Sequence, residues 1–159
     1  MEIELTTYSL TTGETFEATT DDPDALRTAF ALAGEATVEA VAGGVTFDGG
    51  YTIDADAWLD LAEALSEIDA DVFRGWMNVR DERPFDRFYE GAEAYVEAIR
   101  DAYAGQADSV AELGWQTAEA MGLDLDTTLG RYFDAEAFGR DLVIGDYDYD
   151  EATGHYFTK

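Results

Sequence analysis

Between residues 56 and 71 the chain places carboxylates at Asp56, Asp60, Glu63, Glu67 and Asp71, in steps of four, three, four and four. Side chains three and four apart share one face of a helix, so this spacing predicts one stripe of negative charge. An apolar stripe of Trp58, Leu61, Leu65 and Ile68 lies opposite. A second acidic stripe follows at Glu90, Glu93, Glu97 and Asp101, opposite Tyr95, Ile99 and Tyr103, and Asp108, Glu112 and Glu119 continue it on the next helix. Like charges at these spacings cost an isolated helix roughly 0.2–0.5 kcal/mol per pair. Stability alone does not select them. A solvated helix face normally mixes both signs, so single-sign stripes call for a partner, or a solvent, that supplies the missing cations.

The chemistry open to such stripes is electrostatic rather than bond-making. His155 is the only histidine, cysteine is absent, and none of Ser9, Ser66 and Ser109 stands in a Gly-x-Ser-x-Gly setting. Neither a Ser/His/Asp triad nor a multi-histidine metal site can be assembled from these residues. A pair of carboxylates could serve a hydrolase, yet among 36 acids some close pair is inevitable and singles out nothing. Asp146-Tyr147-Asp148-Tyr149-Asp150 has the alternating acids of a calcium loop, but Glu151 stands where the turn glycine belongs and Phe157 where the bidentate Glu should be. It reads as an acidic hairpin turn. No phosphate loop or dinucleotide fingerprint is present, and Gly43-Gly44 and Gly49-Gly50 read as hairpin turns. The chain is therefore expected to be no enzyme and to need no metal or cofactor.

The 36 acids face 9 Lys plus Arg, for a formal net charge of −27, while 47% hydrophobic residues exclude a disordered acidic tail. Such a surface repels nucleic acid and anionic membrane, so the expected partner is a basic protein. The scale suits DNA, because B-form duplex carries about one charge per 1.7 Å, and the net charge matches roughly 45 Å of duplex if it all lies on one side. High-salt adaptation accounts for the same composition, with Lys159 the only lysine against eight arginines. The alternatives to a DNA mimic are thus a halophilic accessory protein or an acidic chaperone for an unrelated basic protein. No apolar stretch approaches 18 residues and the first five residues lack a basic region ahead of an apolar one, so the expectation is a cytoplasmic protein with neither span nor signal peptide.

The elements that must carry these acids follow from periodicity. Residues 3–8 and 14–18 around Thr12-Gly13 read as a hairpin, and Thr20-Asp21-Asp22-Pro23 opens a short helix that stops near Gly34. Strands follow at 37–41, 45–47 and 51–53. From Asp54 the pattern turns helical, at about 55–67, 69–78, 91–104, 109–121 and 135–141, with Pro84 at a joint, and Leu142-Val143-Ile144 and His155-Tyr156-Phe157 read as a final hairpin. Trp58, Trp76, Trp115, Tyr95, Tyr103 and Tyr132 share helical spacing with Leu and Ile and are expected in the core. Arg87, Arg100, Arg131 and Arg140 are expected to hold helices together as partners of acids, and His155 to lie at the surface or in the hairpin. The fold class is α+β: a mixed N-terminal unit over 1–53, a central helical subdomain over 54–90 and a C-terminal subdomain over 91–159, in an elongated arrangement.

Ile99-Arg100-Asp101-Ala102-Tyr103-Ala104-Gly105, with Gln106-Ala107-Asp108-Ser109 after it, resembles the F-x-x-x-Y-x-G segment of the ArdA antirestriction proteins and their Ser-led helix. Arg131-Tyr132-Phe133-Asp134-Ala135-Glu136-Ala137-Phe138-Gly139-Arg140-Asp141-Leu142 resembles their Y-I-D-x-E-x-x-A-R-D-L segment, and Gly145-Asp146-Tyr147 through Gly154-His155-Tyr156-Phe157 resembles their closing acidic hairpin. The resemblance covers about residues 54–159. The family's usual opening, L-x-x-Y-x-x-G followed by a tryptophan, is not found in residues 1–53. Membership implies an elongated acidic homodimer, carried by plasmids, transposons or phages, that imitates bent duplex DNA in the groove of type I restriction-modification enzymes. It also implies that Asp101, Asp134, Glu136 and Asp141 lie in matching segments and join the acids above as candidate phosphate mimics.

Overall fold

Buried and open residues alternate along the whole of β1 (Ile3–Ser9) and β3 (Ala36–Ala42), which turn Ile3, Leu5, Val38, Ala40 and Ala42 to one side. With β2 (Thr15–Thr19) and β4 (Val45–Tyr51) they form an antiparallel sheet in the order β2-β1-β3-β4. The structure, a computed structural model, describes residues 1–51, 54–80, 82–86, 89–127 and 130–159. The expected first hairpin is present, with Tyr8 opposite Thr15. The helix α1 (Pro23–Ala33) begins where a cap was expected: Asp22 accepts the Ala25 N–H at 3.0 Å and Pro23 takes the first position.

The strands expected at 45–47 and 51–53 are a single strand through Tyr51, and Thr52 and Ile53 lie outside the described residues. Gly49-Gly50 is therefore no turn, unlike Gly43-Gly44. The register between β3 and β4 shifts at Val38/Glu39, and a β-carbon on Gly49 would stand 2.6 Å from the Trp58 ring. Glycine here lets a large indole lie directly on the strand backbone.

Among the described residues five α-helices follow: α2 (Ala55–Leu65), α3 (Ala70–Arg80), α4 (Ala92–Ala102), α5 (Val110–Ala120) and α6 (Ala135–Gly145). No helix among the described residues is long and apolar enough to cross a membrane. Two boundaries differ from expectation. The helix expected to reach 104 stops at Ala102, and β5 (Tyr103–Gln106) enters a second antiparallel sheet, ordered β5-β7-β6 with β6 (Tyr147–Tyr149) and β7 (His155–Thr158). Leu142-Val143-Ile144 is not the first strand of the closing hairpin but the last turn of α6, where Leu142 is buried and Ile144 open as a helical period requires.

One buried cluster draws on the first sheet, on Trp58, Leu61 and Leu65 of α2, on Phe73 and Trp76 of α3, on Tyr95, Val96 and Ile99 of α4, and on Phe157. A second joins Ala107, Leu113, Leu142 and Tyr156. Strand β7 serves both, because successive side chains point to opposite faces: Phe157 meets Trp76 edge-on at 5.5 Å, while Tyr156 faces the α5–α6 side. His155 lies in the closing hairpin, one of the two places expected for it, but its side chain is buried and not at the surface, with Nδ1 3.3 Å from the Tyr103 oxygen. Of the aromatic residues expected in the core, Trp58, Trp76 and Tyr95 are there, but Trp115 and Tyr103 are each 39% exposed and Tyr132 is 83% exposed.

Helices α5 and α6 pack backbone to backbone. A β-carbon on Gly114 would stand 2.1 Å from the Ala135 carbonyl oxygen, and one on Gly139 only 1.9 Å from that of Val110. We expect Gly139→Ala to force the helices apart and to cost about 1–3 kcal/mol of unfolding free energy. Gly145→Ala, in the same helix but with no atom within 4 Å of the added carbon, should leave stability unchanged or raise it by up to about 1 kcal/mol. Equilibrium denaturation of the two variants checks the contrast, and equal effects would refute the close packing.

Candidate partner-binding groove

Because Trp58, Leu61 and Leu65 turn one face of α2 inward, and Tyr95, Val96 and Ile99 do the same for α4, the acids at the intervening spacings are left outside. The two helices pack together, and a groove of about 510 Å³ lies between them. Asp60, Glu63 and Glu67 line it from the α2 side and Glu90 and Glu93 from the α4 side, over Ala64 and Val96. Arg100 pairs with Glu67 across it. Two stripes that are distant in sequence thus meet as five carboxylates around one arginine.

Local structure accounts for where each acid stands. Helix α2 starts at Asp54, whose side chain accepts the Ala57 N–H at 3.0 Å, and stops at Leu65. Glu67 consequently lies in the turn and Asp71 in the first turn of α3, so the five acids from 56 to 71 do not form one helical stripe. Helix α4 opens at Gly91 (φ 117°) with no side-chain cap, and Glu93 sits in its first turn, where unpaired N–H groups and the helix dipole favour negative charge. Glu90 follows Tyr89 in the chain. Tyr89 packs edge-on against Tyr95 at 5.0 Å and donates its hydroxyl to Glu82. Burial, then that hydrogen bond, pushes the Tyr89 phenol well above its ordinary value, and burial does the same for Tyr95.

The remaining expected acids are exposed or engaged elsewhere. Asp56 accepts from both Nε and Nη2 of Arg27, at 3.0 and 2.8 Å, tying α2 to α1, and Asp71 pairs with Arg74 on its own helix. Glu97, Asp101, Asp108, Glu119 and Asp141 are exposed, with no ion pair among the described residues. Glu112 is the far member of a capping box: its own N–H donates to Ser109 Oγ at 3.1 Å, and its carboxylate accepts the Asp108 N–H at 2.9 Å and an amide hydrogen of Gln116. Asp134 caps α6 through the Ala137 N–H, and Glu136 lies 3.9 Å from Arg140 one turn along.

The arginines fall in more than one class. Arg100 joins α4 to the α2–α3 turn, as expected of a helix-holding partner. Arg140 stays within α6, Arg131 has no ion pair among the described residues, and Arg87 lies outside them. One cross-element pair, less exposed than the others, went unforeseen: Arg80 Nε lies 2.9 Å from Asp148 of β6, with its guanidinium over the Trp76 ring. In the calcium-like segment Asp150 is buried and takes hydrogen bonds from Asn78, from the Thr153 N–H and from the Thr153 hydroxyl. Asp148 and Asp150 are thus structural. No cluster of metal-ligating side chains occurs among the described residues.

Among the described residues the groove gathers like charges with Arg100 as the one lining cation. Replacing Asp60 by Asn and Glu63 by Gln together, both past the first turn of α2, is expected to raise the melting temperature by about 1–3 °C at low salt. The gain should fade between about 0.01 M and about 1 M salt as the screening length shrinks from roughly 30 to roughly 3 Å. Thermal melts at both ionic strengths decide it, and a gain independent of salt would point away from charge repulsion.

The model of the antirestriction protein family ArdA matches residues 46–157. No curated protein and no solved structure matches the chain. The matched region takes in most of β4, both walls of the groove, the α5–α6 pair and nearly all of the second sheet, and on that extent the chain belongs to the ArdA family of antirestriction proteins.

Proposed function

We propose that this protein inhibits type I restriction-modification enzymes by standing in for DNA, its carboxylates taking the place of phosphates in a basic DNA groove. The observation that carries this reading is the convergence of Asp60, Glu63, Glu67, Glu90 and Glu93 on one open groove, where Arg100 is the only lining cation among the described residues. A fold stabilised for its own sake would place opposite charges there. The further exposed acids Glu97 and Asp101 on α4, and Glu119 and Asp141 on α5 and α6, extend negative surface beyond it. Binding is by occupancy: no bond is made or broken. Counterions held by the acidic protein and by the enzyme's groove are released on contact, as they are when DNA binds.

The partner in this reading is a basic DNA-binding protein, and the protein acts as a homodimer that doubles the length of duplex imitated. Support for pairing comes from exposed apolar side chains around the end of α5 and the turn before α6: Trp115, Met121 at 69% exposure, Leu123, and Tyr132. Met121→Asp combined with Tyr132→Asp is expected to shift the sedimentation coefficient to that of a monomer. An unchanged coefficient places the dimer contact elsewhere or removes it.

Competition tests the mechanism. The protein should displace a labelled duplex from a type I methyltransferase in a gel-shift assay, with affinity falling roughly a hundredfold or more between about 50 and about 200 mM salt. Asp60→Asn, Glu63→Gln and Glu67→Gln together should weaken displacement at least about tenfold, a loss of about 1.4 kcal/mol, while the fold persists. Undiminished inhibition by this variant removes the groove from the contact. A protein whose acids serve only high-salt solvation would fail to displace DNA at all and would unfold in low salt.

A further inference from the structure

A second, smaller cleft adjoins the acidic groove and shares Glu67 and Arg100 with it. It lies between the α2–α3 turn and the C-terminal end of α4, with walls formed by Ile68, Val72, Ile99 and Tyr103 and with Asp69 at its edge. We propose that this cleft receives a single arginine side chain of the protein's partner, and so sets the register of an otherwise diffuse electrostatic contact.

Size comes first. The cleft holds about 210 Å³, below the roughly 300–1,000 Å³ of sites for whole small molecules, and it suits one long side chain. Its chemistry is mixed. The sides are hydrocarbon, so an occupant needs an apolar stem; the mouth carries two carboxylates, so an apolar tip would desolvate them without compensation. Glu67 is already engaged by Arg100. Asp69 is not neutralised: one oxygen accepts the Asp71 N–H at 2.8 Å, which fixes the side chain, and the other has no partner among the described residues.

Tyr103 supplies the last feature. Its hydroxyl meets His155 Nδ1 at 3.3 Å and its ring packs at 5.9 Å from Phe157, so the ring is held from behind while 39% of the residue stays open. Burial, and then the nearby Asp69 charge, keeps its phenol above the ordinary value and hence neutral. With the Arg100 charge taken up by Glu67, an arginine matches the remaining surfaces: methylenes against Ile68, Val72 and Ile99, a planar guanidinium stacked on Tyr103, and its N–H groups toward Asp69. Lysine has the stem, but its compact and strongly hydrated ammonium stacks poorly. That the arginine belongs to a restriction enzyme rests on the function proposed above; that the cleft prefers arginine does not.

The test is a methyl and aromatic NMR titration of the full chain with N-acetylarginine amide, N-acetyllysine amide and N-acetylleucine amide. Saturable shifts at Val72, Ile99 and Tyr103 are expected with the arginine compound, at a half-saturation about two- to fivefold lower than with the lysine one, the size of an exposed cation–π contact. Asp69→Asn keeps the oxygen that accepts the Asp71 N–H and removes the charge, so the fold should survive while the arginine shifts weaken; Tyr103→Leu should remove the preference over lysine. Equal or tighter binding of the leucine compound, arginine shifts undiminished in Asp69→Asn, or no saturable shift would overturn the proposal. In the gel-shift assay, a parent protein that displaces DNA no better than its Asp69→Asn variant would count against the cleft alone. A parent protein that binds arginine but displaces no DNA would count against the functional reading alone.

Discussion

The indole of Trp58 occupies the place where a β-carbon on residue 49 would stand, and the rest of the molecule is arranged around that contact. Trp58 is fully buried, with Phe47 tilted beside it at 6.4 Å and Phe85 edge-on at 4.8 Å. A large aromatic pressed onto bare strand backbone fixes both the rotation of α2 about its axis and its distance from the sheet. Once that rotation is set, Leu61 and Leu65 follow inward and Asp60 and Glu63 have nowhere to go but out. The carboxylate wall of the groove is thus a consequence of apolar packing on the other side of the same helix.

Strand β7 extends that constraint to the second sheet. Phe157 anchors it to Trp76 of α3, and Gly75 lets the hairpin approach so closely that an added β-carbon would meet Thr153 Oγ1 at 2.8 Å. On the opposite face Tyr156 joins Leu113 and Leu142. Ion pairs trace the same joints: Arg27 to Asp56 between α1 and α2, Arg83 to Asp48 between the loop and β4, Arg80 to Asp148 between α3 and β6, and Arg100 to Glu67. Exposed pairs of this kind add little stability each. In a chain of net charge −27, all of these pairs but Arg100–Glu67 lie away from the groove, and that one pair leaves Asp60, Glu63, Glu90 and Glu93 without an ion pair among the described residues.

Much of this was legible because periodicity records burial. The apolar positions of α2 and α4, the Asp22-Pro23 helix start and the first hairpin all follow from local pattern and turn chemistry, and the acids of the two groove walls were identified from spacing alone. What was not legible depended on long-range contacts. Gly49-Gly50 has the composition of a turn, and only the approach of Trp58 makes it strand. Leu142-Val143-Ile144 has strand composition, but Leu142 packs as a helical residue. Glu112 and Asp134 repeat the spacing of surface acids while serving as caps, a role for which the Ser109-x-x-Glu112 pattern was the available signal. Trp115 and Tyr132 keep the helical spacing of core residues although Trp115 packs only edge-on against Phe133 and both stay open to solvent. That two stripes face each other across a groove is a property of the α2–α4 packing, which no local pattern contains.

The contact between Gly114 and Gly139 leaves α5 and α6 no side-chain cushion through which to slide or rock. Glu119, Asp134, Glu136 and Asp141 therefore ride on a single stiff body, held at constant mutual spacing before any partner arrives. A surface that is already in order loses little conformational entropy on association. The cost falls on breadth: such a surface adapts poorly to basic clefts whose curvature differs from its own.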